Sequence, residues 1–191
     1  MKLVFATNNK HKLTEVRSLV DGSIEIVSLS DIGCSEDIPE TAATIEGNAS
    51  QKAFYVFNKF GIDCFADDTG LEVEALNGRP GVYSARYAGE GCSFDDNIDK
   101  ILLELKGIKN RSACFRTVIS LIINGVEHQF EGRVDGLLLE ERRGIKGFGY
   151  DPVFQPSGSD KTFAEMSPEM KNKISHRGIA VRKLVDFLER I

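Results

Sequence analysis

An Asn-Gly pair at positions 124–125 interrupts a β-branched and aromatic run that fills Ala113 to Ile123 and resumes at Val126. Both residues of a tight two-residue turn need positive φ, which Asn and Gly adopt at least cost, so the pair predicts a β-hairpin. In the returning strand Val126, His128, Phe130, Gly132 and Val134 alternate with Glu127, Gln129, Glu131 and Arg133. A period of two predicts one face wetter than the other, and His128 reads there as a structural strand residue rather than a catalyst.

Helical spacing appears on both sides of this hairpin. A buried strand, Leu3 to Ala6, leads through Thr7-Asn8-Asn9 into a helix striped by Leu13, Val16, Leu19 and Val20. A second helix is expected from Ile45 to Lys59, with Thr44 as N-cap and Gly61 just past its end. A short strand, Cys64 to Ala66, is expected to stop at Asp67-Asp68. Asp95 to Leu105 reads as a helix, and the chain closes with a helix from His176 to Ile191 capped by Ser175 and striped by Val181, Leu184, Val185 and Leu188. Mixed strands and helices predict an α/β or α+β fold, with one domain over residues 1–191.

The 191 residues are enough to bury one full core, about 70% of the unfolded surface, without disulfides or structural metal. Lys and Arg number 24 against 29 Asp and Glu, a formal charge of −5, and no more than two basic residues are adjacent. That balance argues against a nucleic-acid partner, so an anionic ligand has to be small and held locally. Cys34, Cys64, Cys92 and Cys114 are scattered with no C-x-x-C, as expected of reduced, mostly buried thiols in a cytoplasmic protein. The apolar run after Met1 is far short of a signal peptide core or the roughly 20 residues of a membrane span, so neither secretion nor membrane insertion is expected.

Four features suggest chemistry. Thr7-Asn8-Asn9-Lys10-His11-Lys12 lies at a helix N-terminus, where backbone N–H groups favour an anion, although the same residues suit an ordinary polar turn. No P-loop or dinucleotide glycine motif is present. Asp67-Asp68-Thr69-Gly70 places two carboxylates where a hard cation such as Mg²⁺ would be held, with Glu40 as a further oxygen ligand; an Asx turn is the competing reading. Gly144 to Pro152 includes Gly147-Phe148-Gly149-Tyr150-Asp151, which suits either a stacking platform for a base or a loop covering the core. Lys171, Ser175, His176 and Arg177 gather positive charge, and an Arg fork matches O6 and N7 of a 6-oxopurine while adenine presents an N6 donor; a solvated basic turn is the alternative.

Assembled, these segments resemble the inosine/xanthosine triphosphate pyrophosphatase (HAM1-like) family nearly end to end. The resemblance rests on Ala6 to Lys12, Ile45-Glu46-Gly47-Asn48-Ala49 with Lys52-Ala53, Ala66 to Leu71, and Pro80 to Tyr87. It continues through Gly147 to Phe154, Ala164-Glu165-Met166 and Lys171 to Arg177. Asn8 stands where the family more often has Gly. The resemblance implies hydrolysis of dITP, ITP and XTP between the α and β phosphates, giving monophosphate and pyrophosphate. It also implies a long mixed sheet flanked by helices in two lobes with the active site in the cleft, usually as a homodimer. By position it implies that Thr7, Asn9 and Lys12, with Asn8, Lys10, His11 and Thr69 around them, hold phosphates. Glu40 and Asp68 would ligate Mg²⁺, and Asp68 would be the catalytic carboxylate. Phe148 would stack on the base, and Gly149, Tyr150, Asp151, Lys171, His176 and Arg177 would form the nucleoside pocket. Two alternatives are a Maf-like pyrophosphatase of modified pyrimidine triphosphates and a module that binds nucleotides without cleaving them.

Overall fold

A computed structural model describes residues 1–191. The elements run β1 (Lys2–Phe5), α1 (Lys10–Leu19), β2 (Glu25–Ser28), α2 (Ile45–Phe60), β3 (Cys64–Val73) and β4 (Pro80–Gly81), then α3 (Phe94–Glu104), β5 (Ser112–Ile123), β6 (Val126–Leu138), β7 (Phe154–Pro156), α4 (Pro168–Ile174) and α5 (His176–Leu188). Seven strands form one mixed sheet in the order β2-β1-β3-β5-β6-β7, with β4 on β3. β1 pairs parallel with β2 and β3, whereas β6 pairs antiparallel with β7. Asn124 and Gly125 take φ of 50° and 77°, so the expected hairpin forms at the expected turn. Along β6, exposure alternates from His128 to Leu138, and the His128 ring packs 4.4 Å from that of Phe187.

The chain divides into two compact units: residues 1–68, 117–132 and 176–191, and residues 69–116 and 133–175. In the first unit the sheet is buried on both faces, which is why its strands read as nearly continuous apolar runs. Leu3, Phe5, Phe65, Ile119 and Leu121 face α1 and α5, packing with Val16, Val181 and Leu184; the alternating Val4, Ala6, Cys64, Ala66 and Ile122 pack with Ala53 and Val56 of α2. Phe5 and Phe65 stack with centroids 4.4 Å apart, and burying one such ring contributes about 2 kcal/mol. The second unit closes around Leu71, Ile98, Ile101, Phe115, Phe154 and Phe163. No helix is long and apolar enough to cross a membrane.

Caps set the helix ends. Asn9 accepts from the N–H groups of His11 and Lys12, Thr44 accepts from Gly47, and Gly61 ends α2 at φ 65°. Two expectations need correction. The strand expected to stop after Ala66 continues to Val73, so Asp67 and Asp68 lie inside β3 and no Asx turn forms there. Ladder pairing with β1, β5 and β4 overrides the low strand propensity of Asp and Gly. The basic segment before α5 is also a helix of its own, α4, capped by Ser167 and begun by Pro168. Ser175 closes it by donating its N–H to the Lys171 carbonyl.

Candidate active site

Successive strand residues point to opposite faces, and this separates the two adjacent carboxylates of β3. Asp67 faces α1 and α5. Its Oδ1 lies 2.9 Å from Lys12 Nζ, and its Oδ2 accepts from Arg177 Nε at 3.1 Å. Arg177 Nη1 donates in turn to Glu15 Oε2 at 2.6 Å. Asp68 faces α2, where its Oδ2 accepts from Asn48 Nδ2 at 3.2 Å and its Oδ1 stands 3.7 Å from Lys52 Nζ. Lys52 also pairs with Glu40 Oε1. Two carboxylates from separate segments thus meet one ammonium. The expectation that Asp67 and Asp68 together face one cation does not hold, because the strand turns them apart.

The environment acts differently on each group. For Asp67, burial disfavours the charge, but Lys12, Arg177 and Lys52 outweigh it and hold the carboxyl well below the usual range. For Asp68, burial dominates and pushes the carboxyl upward against the pull of Lys52 and Lys12. Burial lowers Lys12, with Asp67 opposing the shift. Lys52 is buried too, yet Asp68, Glu40 and Asp67 raise it overall. Arg177 is likewise raised by Asp67 and Glu15 against its burial.

The loop from Thr7 to Lys12 lies in the same unit. Thr7 Oγ1 accepts the Asn9 N–H at 3.2 Å, and Asn9 caps α1. Lys10 and His11 are exposed, and Asn8 Nδ2 reaches the Glu36 carbonyl at 3.4 Å. His176 is buried and, with Arg177, opens α5. Gly132 on β6 makes room for that first turn, since a Cβ there would lie 2.0 Å from the His176 carbonyl oxygen.

A second group of expected residues assembles in the other unit. Asp151 is buried and its Oδ2 accepts from Lys171 Nζ at 2.7 Å and from the Phe148 N–H at 2.8 Å. Lys171 Nζ stands 5.0 Å from the Phe148 ring centroid and 5.6 Å from that of Phe163. Gly147, at φ 75°, has no room for a side chain, because a Cβ would meet Asp151 Oδ2 at 2.0 Å. Gly149 takes φ 60°, and Tyr150 is buried with its hydroxyl donating to the Ser84 carbonyl at 2.9 Å. Thr69 is half-buried in β3. Of the six residues expected to form the nucleoside pocket, Gly149, Tyr150, Asp151 and Lys171 therefore belong to one unit and His176 and Arg177 to the other.

The family model described as the Ham1 family matches residues 3–187. This chain belongs to the Ham1 family. It is 60% identical to a protein of Flavobacterium johnsoniae named dITP/XTP pyrophosphatase, over 98% of both chains, and 57% identical to one of the same name from Porphyromonas gingivalis, over 98% of this chain and 97% of that one. The solved Ham1 protein of Staphylococcus aureus superimposes with a TM-score of 0.90 at 39% identity, covering 99% of this chain and 98% of that one. A HAM1 protein from Coxiella burnetii does so with 0.92 at 37% over the whole of both.

Three partners in this site carried no expected role: half-buried Glu15 and buried Asn48 and Lys52. For Asn48 and Lys52 a signal was present in the spacing. Asn48 and Lys52 sit four apart on the same helical face as Ala49, Ala53 and Val56, and polar side chains on a buried stripe need partners.

Proposed function

We propose that the chain, acting as a single domain over residues 1–191, hydrolyses dITP, ITP and XTP or dXTP to the nucleoside monophosphate and pyrophosphate. Such a reaction cleanses the nucleotide pool, here in the cytoplasm and as a homodimer without a nucleic-acid partner. The observation that carries this is the convergence of Glu40 and Asp68 on the Lys52 ammonium, with Lys12 on the other face of the same strand. The names of the close relatives support the same substrates.

The donor set fits Mg²⁺. Glu40 and Asp68, which approach the same ammonium from separate segments, supply hard oxygen donors of the kind Mg²⁺ takes. Glu40 and Asp68 would hold the ion, which neutralises charge on the phosphates when bound. Thr7, Asn9 and Lys12, with the N–H groups at the start of α1, hold the polyphosphate, and Asn8, Lys10, His11 and Thr69 flank it. Asp68 accepts the proton of the water that attacks the α-phosphorus, while Lys52 and Lys12 oppose the charge that develops there. Phe148 stacks on the base beside Gly149 and Tyr150. Asp151, Lys171, His176 and Arg177 select a 6-oxopurine.

The purified protein should be given deoxyinosine, xanthosine, guanosine and adenosine triphosphates with Mg²⁺ or with a chelator, and pyrophosphate resolved from orthophosphate. Pyrophosphate formed mainly from the first two and lost on chelation is the expected result. Orthophosphate release would mean that another bond is cut.

A further inference from the structure

Glu40 and Asp68 reach Lys52 from supports of unequal stiffness. Asp68 belongs to β3, a ten-residue strand inside the sheet that pairs with β1 at Cys64 and Phe65 and neighbours β5. Glu40 belongs to residues 33–43, which contain no helix or strand. A carboxylate on irregular backbone holds its position only if something outside the backbone ladder fixes it.

That support is a line of contacts to α2 in reverse order. Glu40 pairs with Lys52, the Thr41 N–H donates to Gln51 Oε1 at 2.9 Å, and the Ala42 N–H donates to Asn48 Oδ1 at 2.9 Å. Gln51 Nε2 returns a bond to Thr41 Oγ1, also at 2.9 Å, so one amide grips both the backbone and the side chain of the residue after Glu40. Farther along, Lys59 and Tyr55 both reach the Glu36 carboxylate. Lys52 and Asn48 also touch Asp68, whereas the Gln51 amide bonds only Thr41.

We propose that Gln51 is a positioning residue for the cation site, holding the peptide next to Glu40 so that its carboxylate stays aimed at the cation. This rests on Glu40 being a metal ligand. Without the clamp the segment has to be ordered when the cation binds, and that cost appears in cation affinity rather than in the chemical step.

The test uses the full chain as wild type, Q51L, T41V, the Q51L/T41V double variant and E40Q. Mn²⁺ alone is titrated by electron paramagnetic resonance without nucleotide, alongside the Mg²⁺ dependence of turnover and amide exchange of residues 38–43. Q51L is expected to weaken Mn²⁺ binding and raise the Mg²⁺ midpoint about five- to tenfold. It should speed exchange at Thr41 and Ala42, lower the thermal midpoint by no more than about a few degrees, and leave kcat at saturating Mg²⁺ and nucleotide KM unchanged. T41V should act in the same direction by less, and the double variant should be no worse than Q51L, because both remove one interaction. Q51L binding Mn²⁺ like wild type while E40Q binds it weakly would overturn the role of Gln51 and leave Glu40 a ligand. A Q51L effect confined to nucleotide KM would overturn it as well. E40Q binding Mn²⁺ like wild type would instead overturn the metal role of Glu40 itself.

Discussion

The two buried charge groups solve the same problem with different materials. In the first unit Asp67 meets Lys12 and Arg177, and Arg177 has Glu15 as a second carboxylate, a chain of alternating charges. In the second, Asp151 meets the Lys171 ammonium and the Phe148 N–H, and that ammonium lies against the rings of Phe148 and Phe163. A chain of alternating charges suits a polyanion, whose charge is spread over many oxygens. An ion pair faced with rings suits a flat, weakly charged base, for which stacking and a few directed hydrogen bonds decide the fit.

This contrast can be broken most directly within β3, where two neighbouring aspartates should differ in kind. Asp68→Asn should lower kcat by about 10² to 10⁴ with an unchanged circular dichroism spectrum. Near-normal turnover would remove Asp68 from the chemistry. Asp67→Ala should instead cost about 3–5 kcal/mol in urea unfolding, because it leaves Arg177 and Lys12 buried with one partner fewer.

The pH dependence sharpens the same pair. Asp67 has its folded pKa depressed by its cations, so its stabilisation is complete above the unfolded value of about 3.9 and is lost as pH falls toward the folded value. Acid unfolding monitored by circular dichroism should therefore steepen below about pH 4 in wild type and flatten in Asp67→Asn. Asp68 has the opposite sign: its raised pKa favours folding while protonated, and that contribution fades as pH climbs through the folded value.

Smaller effects test the second unit. Phe148→Ala should raise KM for deoxyinosine triphosphate about tenfold with little change in kcat, the expectation for a lost stacking surface. Smallest of all, burial lifts the Cys64 thiol to about 12 and the Cys114 thiol to about 11. Both should resist a thiol reagent at pH 8 in the native protein, with half-buried Cys92 reacting first.

Local signals carried much of this architecture. Asn124-Gly125, Thr44 and Gly61 mark a turn and two helix ends by chemistry that acts within a few residues, and each stands where the sequence puts it. The strand through Asp67 and Asp68 was not legible, because pairing with distant strands decides it against local propensity. The same holds for the site. Phe148, Asp151, Asp68 and Glu40 were visible as motifs, but the partition of Asp67 to one face and Asp68 to the other follows from that unseen strand. Gln51 and Glu15 could not be found by type, since a Gln or Glu on a helix is usually solvated and only the partner across the fold gives it a task.

The central claim is that Asp68 and its cationic neighbours direct water to the α-phosphorus of the nucleotide. Single-turnover hydrolysis of deoxyinosine triphosphate in ¹⁸O-labelled water, read by ³¹P magnetic resonance, tests it most directly. The account predicts one labelled oxygen in the deoxyinosine monophosphate and none in the pyrophosphate; label in the pyrophosphate would place the attack on the β-phosphorus and contradict it.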